Sequence, residues 1–396
     1  MTGPLDIDRL RAGTPGCARG IHFNQAGAGL PPQRVLDAMS GRMALEAERG
    51  PMEAAASGEE TKARARGLAA GLLGCTPEEV AFAPSGAAAW GMAVAALPPF
   101  RSGDCILVSR QEWGGNLATL QLMAARSGAV IEQIPVRPCG MADLCALQDR
   151  IDGRVRLICL TWLPCNGGLI DDAEGIGRIA RAAGVPYAVD AAQALGQLPV
   201  DVARIGCDIL AGTARKHLRG PRGTALLHVR QGLLAEMSPP WVDIQSAPLS
   251  GGVAQPRRDA RLLESGEMSG VLTAGLAAAL ELAAELGPDR IHARVAAMAA
   301  LLRQRLRAIP GVTLHDRDSD LSGLVAFEVG GLAPALLRER LAARGIAIGV
   351  NGTAYTPLDM AARGIGQIAR ASVSYLTTER EIDVLCSAVA AEVPRS

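Results

Sequence analysis

The chain carries 40 basic side chains, and only two of them are lysine, Lys62 and Lys216; the other 38 are arginine. Lys216 stands in the run Gly212-Thr-Ala-Arg-Lys-His-Leu-Arg-Gly-Pro-Arg-Gly223, with Arg215, Arg219 and Arg222 around it. A cation wanted there only for its charge would follow the rest of the chain and be arginine. A lysine amine with a lowered pKa can attack a carbonyl and form a Schiff base, whereas a guanidinium stays protonated. Neighbouring cations lower that pKa by disfavouring a further positive charge. Lys62, between Thr61 and Ala63 in a helical pattern with Arg64 and Arg66 nearby, reads as an ordinary surface lysine. Upstream, Val185-Pro-Tyr-Ala-Val-Asp190-Ala-Ala-Gln193 is an apolar run ending in an acid. An Asp at the carboxyl end of a parallel strand faces the crevice where such sheets take ligands. Taken alone, the cap of a following helix is the favoured reading; the Lys 26 residues later shifts the balance to a ligand role.

A Schiff-base lysine with an acidic partner fits a cofactor that has an aldehyde and a protonated ring nitrogen, as pyridoxal phosphate has. At this point the chain resembles, over nearly its whole length, the class V aminotransferase family of pyridoxal phosphate enzymes. Members include cysteine desulfurases, isopenicillin N epimerase-like proteins and ergothioneine-pathway C–S lyases. The most specific parts are Asp190-x-x-Gln193, Thr213-Ala-Arg-Lys216 with Leu218-Arg-Gly-Pro-Arg-Gly223, and Arg370-Ala-Ser-x-x-Tyr375 followed by Glu381-Ile-Asp383. The resemblance implies that Lys216 carries the Schiff base, Asp190 faces the pyridine nitrogen and Gln193 bonds the ring hydroxyl. It gives Thr213 and Arg215 to the phosphate and Arg370 to the substrate carboxylate. Asn24 and Gln25, in His22-Phe-Asn-Gln-Ala-Gly27, match the segment lining the substrate side.

Trp113, in Glu112-Trp-Gly-Gly-Asn116, matches the aromatic that stacks on the cofactor ring; a buried core tryptophan is the plainer alternative. Asn166, in Thr161-Trp-Leu-Pro-Cys-Asn-Gly-Gly168, is expected to bond the cofactor hydroxyl or the substrate, with Cys165 filling space as a small hydrophobe. In Ala83-Pro-Ser-Gly86-Ala-Ala-Ala89 a strand feeds a helix N-terminus. Alone this reads as an ordinary βα turn; the resemblance implies that Ser85, Gly86, Ala87 and Ala88 cradle phosphate, chiefly through main-chain N–H groups.

The family's desulfurases carry a nucleophilic cysteine on a loop before the carboxylate arginine. The corresponding run, Gly352-Thr-Ala-Tyr-Thr-Pro-Leu-Asp359, has none, which disfavours that activity. The region where a neighbouring subunit's phosphate contact maps, Glu264-Ser-Gly-Glu-Met268, is acidic. The expected activity is chemistry at Cα of an amino acid through an external aldimine, first as a C–S β-lyase on an S-substituted cysteine. Transamination and epimerisation are the alternatives, and a non-catalytic binding protein comes last.

The elements that must position these residues follow from pattern. Short apolar runs (79–83, 105–109, 130–134, 155–161, 185–190, 209–212, 224–229) alternate with helical patterns. This predicts an α/β fold of pyridoxal phosphate fold type I: a mainly parallel sheet flanked by helices, plus a smaller C-terminal α+β domain. The expected domains are 21–290, and 291–396 with 1–20. Helices over 271–286 and 291–309 break at Gly287-Pro288. The 396-residue chain is 49% apolar, enough for a large core; its zero formal net charge and lack of a polybasic run argue against nucleic acid or an anionic membrane as partner. No apolar run reaches the ~18 residues of a membrane span, and the N-terminus lacks a signal-peptide core. Nine scattered cysteines without a CxxC pair and five dispersed histidines point to a reduced, cytoplasmic protein with no metal. Fold analogy adds a homodimer.

Overall fold

The computed structural model describes residues 3–316 and 321–394; Met1 and Thr2, which open the N-terminal run, lie outside the described residues. Its strands, in chain order, are β1 (Ile21–Phe23), β2 (Val80–Ala83), β3 (Cys105–Val108), β4 (Val130–Gln133), β5 (Val155–Thr161), β6 (Tyr187–Asp190), β7 (Ile209–Thr213), β8 (Ala225–Val229), β9 (Leu249–Ser250), β10 (Val253–Ala254), β11 (Val312–Leu314), β12 (Leu324–Val329), β13 (Ile346–Gly352) and β14 (Gln367–Ser372).

The larger sheet runs β2-β8-β7-β6-β5-β3-β4. Strands β4, β3, β5, β6 and β7 are mutually parallel, and β8 runs against both β7 and β2. Its central strands are continuous apolar runs because both faces are covered. Alternate residues supply two separate cores. Leu107, Ile158, Leu160 and Leu210 pack on one face with the helices Ala55–Leu73, Ala173–Ala183 and Gly270–Leu286. Ile106, Leu157, Cys159 and Ile209 pack on the other with Gly86–Ala95 and Gly114–Ser127. The mainly parallel sheet with helices on both faces is the predicted architecture.

The second sheet runs β1-β13-β14-β12-β11, antiparallel except for the β1–β13 pair. Its core holds Phe23, Phe327, Leu302 and Leu385 beneath the helices Pro288–Arg307 and Glu379–Ala390. Residues 21–23, which the sequence reading assigned to the large domain, thus sit in the C-terminal sheet, Ile21 opposite Ile346. The expected break at Gly287-Pro288 is present: Gly287 has φ +82° and Pro288 opens the next helix. Thr378 and Glu381 form a capping box at the last helix. Among the described residues no single helix is long and apolar enough to cross a membrane.

Candidate active site

The carboxyl ends of β5, β6 and β7 open on a cavity of about 330 Å³, lined among others by Ser85, Gly86, Ala87, Trp113, Thr161, Cys165, Asp190, Gln193, Thr213, Arg215, Lys216 and Arg222. Parallel register places Thr161 beside Asp190 and Asp190 beside Ala211, so these side chains emerge at one level. A wider groove of about 870 Å³ lies at the amino ends of the same strands. Its Arg156 and Arg230 are ion-paired to Asp104 and Asp208, and it holds no lysine.

Lys216 follows β7 on a tightly held loop. Its carbonyl accepts from Gln25 Nε2 at 3.0 Å and from the Arg219 N–H at 3.1 Å. The Gly29 N–H donates to Arg215 O at 2.8 Å, and Arg215 Nη1 donates to Gly27 O at 2.5 Å. A Cβ at Gly29 would overlap the Lys216 carbonyl, so only glycine lets the N-terminal segment lie against this loop. Burial pushes the Lys216 amine down to about 8; Asp190 and Cys165 oppose this, and Arg215 and Arg370 add to it. Desolvation therefore does most of what the sequence attributed to adjacent arginines. Arg219, at φ +61°, turns away to Leu30 O, Thr14 Oγ1 and the Tyr375 hydroxyl.

The Asp190 carboxylate accepts from the Ala192 N–H at 2.8 Å and from Asn116 Nδ2 at 2.9 Å. Gln193 donates through Nε2 to Ala26 O, and its Oε1 is buried without a partner. Trp113 lines the cavity, its N–H donating to Thr161 Oγ1 at 2.9 Å. Side chains at Gly114 and Gly115 would strike Ala354 O and the Trp113 indole respectively, which explains that Gly-Gly pair.

Ser85 caps the helix Gly86–Ala95, its Oγ accepting from the Ala88 N–H at 3.1 Å. Ala88 is thus engaged by the cap and does not line the cavity, unlike Ser85, Gly86 and Ala87. First-turn amides have no intrahelical acceptor, so the cradle is narrower than the sequence predicted. Thr213 and Arg215 face the same end.

Arg370, on β14 and 4% exposed, donates through Nη1 to Cys165 O at 2.8 Å and through Nη2 to Asn24 Oδ1 at 3.3 Å; its Nε is buried without a partner. Across the register stands Gly349, where a Cβ would approach Arg370 Nη2 to 3.0 Å. Three expected contacts are placed differently. Asn24 orients Arg370, and Gln25 holds the Lys216 backbone. Asn166 donates to Gly352 O at 3.2 Å and accepts from Asn351 Nδ2 at 2.7 Å, tying β13 to the end of β5 instead of lining the cavity. Asn116, which holds the Asp190 carboxylate, is the site residue that the sequence does not single out; the spacing of Glu112 and Asn116, four residues apart at a helix start, was the available signal. Lys62 is ion-paired to Glu264 at 3.2 Å, and Glu264 also accepts from Arg66 and the Phe82 N–H. That acid faces inward, not toward a ligand.

These residues fit pyridoxal phosphate. The cavity offers a lysine amine, a fixed carboxylate, a flat aromatic wall and a helix N-terminus beside Thr213 and Arg215. Gln193 Oε1 and Arg370 Nε are buried polar atoms that lack partners among the described residues.

Comparison with known proteins agrees. The family described as Aminotransferase class-V matches residues 21–385. A probable cysteine desulfurase of Xylella fastidiosa (strain Temecula1) is 29% identical, covering 97% of this chain and 95% of its own. A cysteine desulfurase of Salmonella agona is 28% identical, covering 97% of each. Among solved structures, the cysteine desulfurase CsdA from Escherichia coli matches with a TM-score of 0.90 at 26% identity, over 98% of this chain and 99% of that one. The cystine C–S lyase C-DES, solved with its reaction product cysteine persulfide, matches with a TM-score of 0.88 at 25% identity, over 96% and 100%. The chain belongs to the class V aminotransferase family and is a pyridoxal 5′-phosphate-dependent enzyme of fold type I.

Proposed function

We propose that the protein is a C–S β-lyase acting on an S-substituted cysteine, with Lys216 as the proton-transferring base. The observation that carries this reading is the state of Cys165. Among the described residues it is the one cysteine lining the cavity, and burial pushes its thiol up to about 11, against the pull of Arg370 and Lys216. A thiol that keeps its proton at neutral pH is a poor acceptor for a transferred sulfur. The segment Gly352–Thr356, whose Tyr355 carbonyl lies 3.7 Å from Cys165 Sγ, contains no cysteine.

Bound pyridoxal phosphate supplies an electron sink for bonds broken at Cα. Arg370 binds the substrate carboxylate with its Nε–Nη2 edge, the side not tied to Cys165 O. This fixes which Cα bond is presented for cleavage. Lys216 Nζ, its amine lowered by burial to about 8, takes the Cα proton. Asp190, held by Asn116 and the Ala192 N–H, keeps a positive charge opposite its carboxylate. The Cβ–S bond then breaks, the sulfur leaves as a thiolate that takes up a proton, and water completes release of pyruvate and ammonia.

The test is product analysis with cystine and with S-methylcysteine: pyruvate and ammonia in equal amounts are expected. Alanine from free cysteine, lost in Cys165→Ser, would replace this reading with sulfur transfer. That second reading is favoured by the desulfurase relatives and by the place of Cys165 in the cavity.

The assembly we infer is a homodimer. Trp241, Val242, Ile244, Leu249 and Val253 are large apolar side chains left exposed around the β9–β10 hairpin. Light scattering at twice the chain mass is the expected result. All nine cysteines are free, which supports a reducing, cytoplasmic setting.

A further inference from the structure

We infer that Glu112 is a positioning residue that aims Asp190 and Trp113 into the cofactor cavity through one shared carboxylate. Glu112 is fully buried, yet among the described residues no cation is bonded to it. Its Oε1 accepts from Asn116 Nδ2 at 2.9 Å and from Thr161 Oγ1 at 2.9 Å; its Oε2 accepts from Ser109 Oγ at 3.1 Å. Each bond has a consequence one step further on.

Asn116 Nδ2 has two hydrogens. One goes to Glu112, and the other goes to Asp190 Oδ2 at 2.9 Å. With two acceptors converging on its nitrogen, the amide cannot turn its oxygen toward Asp190, where it would repel the carboxylate. Thr161 has a single hydroxyl hydrogen, and Glu112 takes it. The lone pairs of Oγ1 are therefore left for the Trp113 N–H at 2.9 Å, which fixes the backbone from which the indole projects. Glu112 thus sets the donor and acceptor roles of Asn116 and Thr161, which hold the cavity-lining Asp190 and Trp113, while it does not itself line the cavity.

A carboxyl in this place is costly unless it does something. Burial pushes it up to about 7 against the Asn116 bond, and the nearby Asp190 charge adds to the rise. A leucine would fill the space at lower cost, but it would leave Asn116 and Thr161 free to reorient.

The inference rests on the cavity being the cofactor site, and the test separates the two. Apo-protein is titrated with pyridoxal phosphate, and the dissociation constant is read from Trp fluorescence and equilibrium dialysis. Glu112→Leu is expected to weaken binding at least tenfold, and Glu112→Gln, which keeps an acceptor at Oε1, less than threefold. In an Asp190→Asn background the penalty of Glu112→Leu should shrink to less than threefold, the part that passes through Thr161 and Trp113 and not through Asp190. Equal losses in both backgrounds, or a leucine variant that binds like the parent, overturns the inference. Asn116→Ser cuts the same link without touching Glu112 and replaces the leucine variant in the cycle should that chain not fold. A parent protein that binds no pyridoxal phosphate would refute the site itself.

Discussion

Gln25 Nε2 donates to the main-chain carbonyl of Lys216 at 3.0 Å, so a residue expected beside the substrate holds the peptide that carries the lysine. Gln25 is buried, Lys216 is half-buried, and the contact joins the N-terminal segment to the loop after β7. Replacing Gln25 with Ala leaves that carbonyl short of a donor, a loss of about 1–3 kcal/mol in a buried setting. The thermal midpoint of Gln25→Ala should fall by several degrees while its KM stays within twofold of the parent. A large KM increase at unchanged stability would return Gln25 to the substrate.

The Lys216 amine sets a pH dependence. Its value is lowered to about 8 from the usual 10.5, so the neutral amine, the form that attacks an aldehyde, accumulates as pH rises through about 8. Capture of pyridoxal phosphate by apo-enzyme, followed by stopped-flow absorbance between pH 6 and 10, should accelerate with that midpoint. The groups facing the amine are Asp190, Cys165, Arg215 and Arg370, and Asp190→Asn should lower the midpoint further by removing an opposing charge. A midpoint near 10 would contradict the burial argument.

Arg370 predicts a carboxylate preference. In Arg370→Leu the value of kcat/KM for the amino acid should fall by two to three orders of magnitude, as expected for losing a charge-assisted pair. The parent should prefer an amino acid over its amide strongly, and the variant should not. Equal discrimination in both proteins would place carboxylate binding elsewhere.

Two glycines separate strain from crowding. Gly251 has φ +58° with open space where a Cβ would stand; Gly196 has φ +84°, and its Cβ would lie 2.5 Å from the His217 carbonyl carbon. Alanine at 251 should cost about 1 kcal/mol. Alanine at 196 should cost several times more, because it pushes on the loop one residue from Lys216. Urea unfolding of the apo-proteins measures both, and similar costs would show that the lysine loop yields easily.

The sheet and the centre of the site were legible because they follow from local pattern. Strand β5 spans the very residues its apolar run predicts, and Lys216, Asp190, Gln193 and Trp113 all meet at one cavity. What was not legible depends on partners far away in sequence. Asn24, Gln25 and Asn166 carry amides whose roles are set by Arg370, Lys216 and Asn351, and nothing near them in the chain reveals those contacts. Lys62 looked like a solvated lysine because its partner, Glu264, is some two hundred residues away in sequence. The three residues of β1 are too few to show a period, so their place beside β13 was hidden.

The carbonyl oxygen of Cys165 accepts from both Asn351 Nδ2 and Arg370 Nη1. One peptide oxygen at the end of the large sheet is thereby pinned to two strands of the smaller one. A substrate carboxylate bound by Arg370, as proposed above, would compete with Asn24 for Nη2 and pull on this same rivet. On that proposal, recognition of the amino acid and the stiffness of the seam between the two sheets would be a single mechanical event, and an amine without a carboxylate would bind to a looser machine.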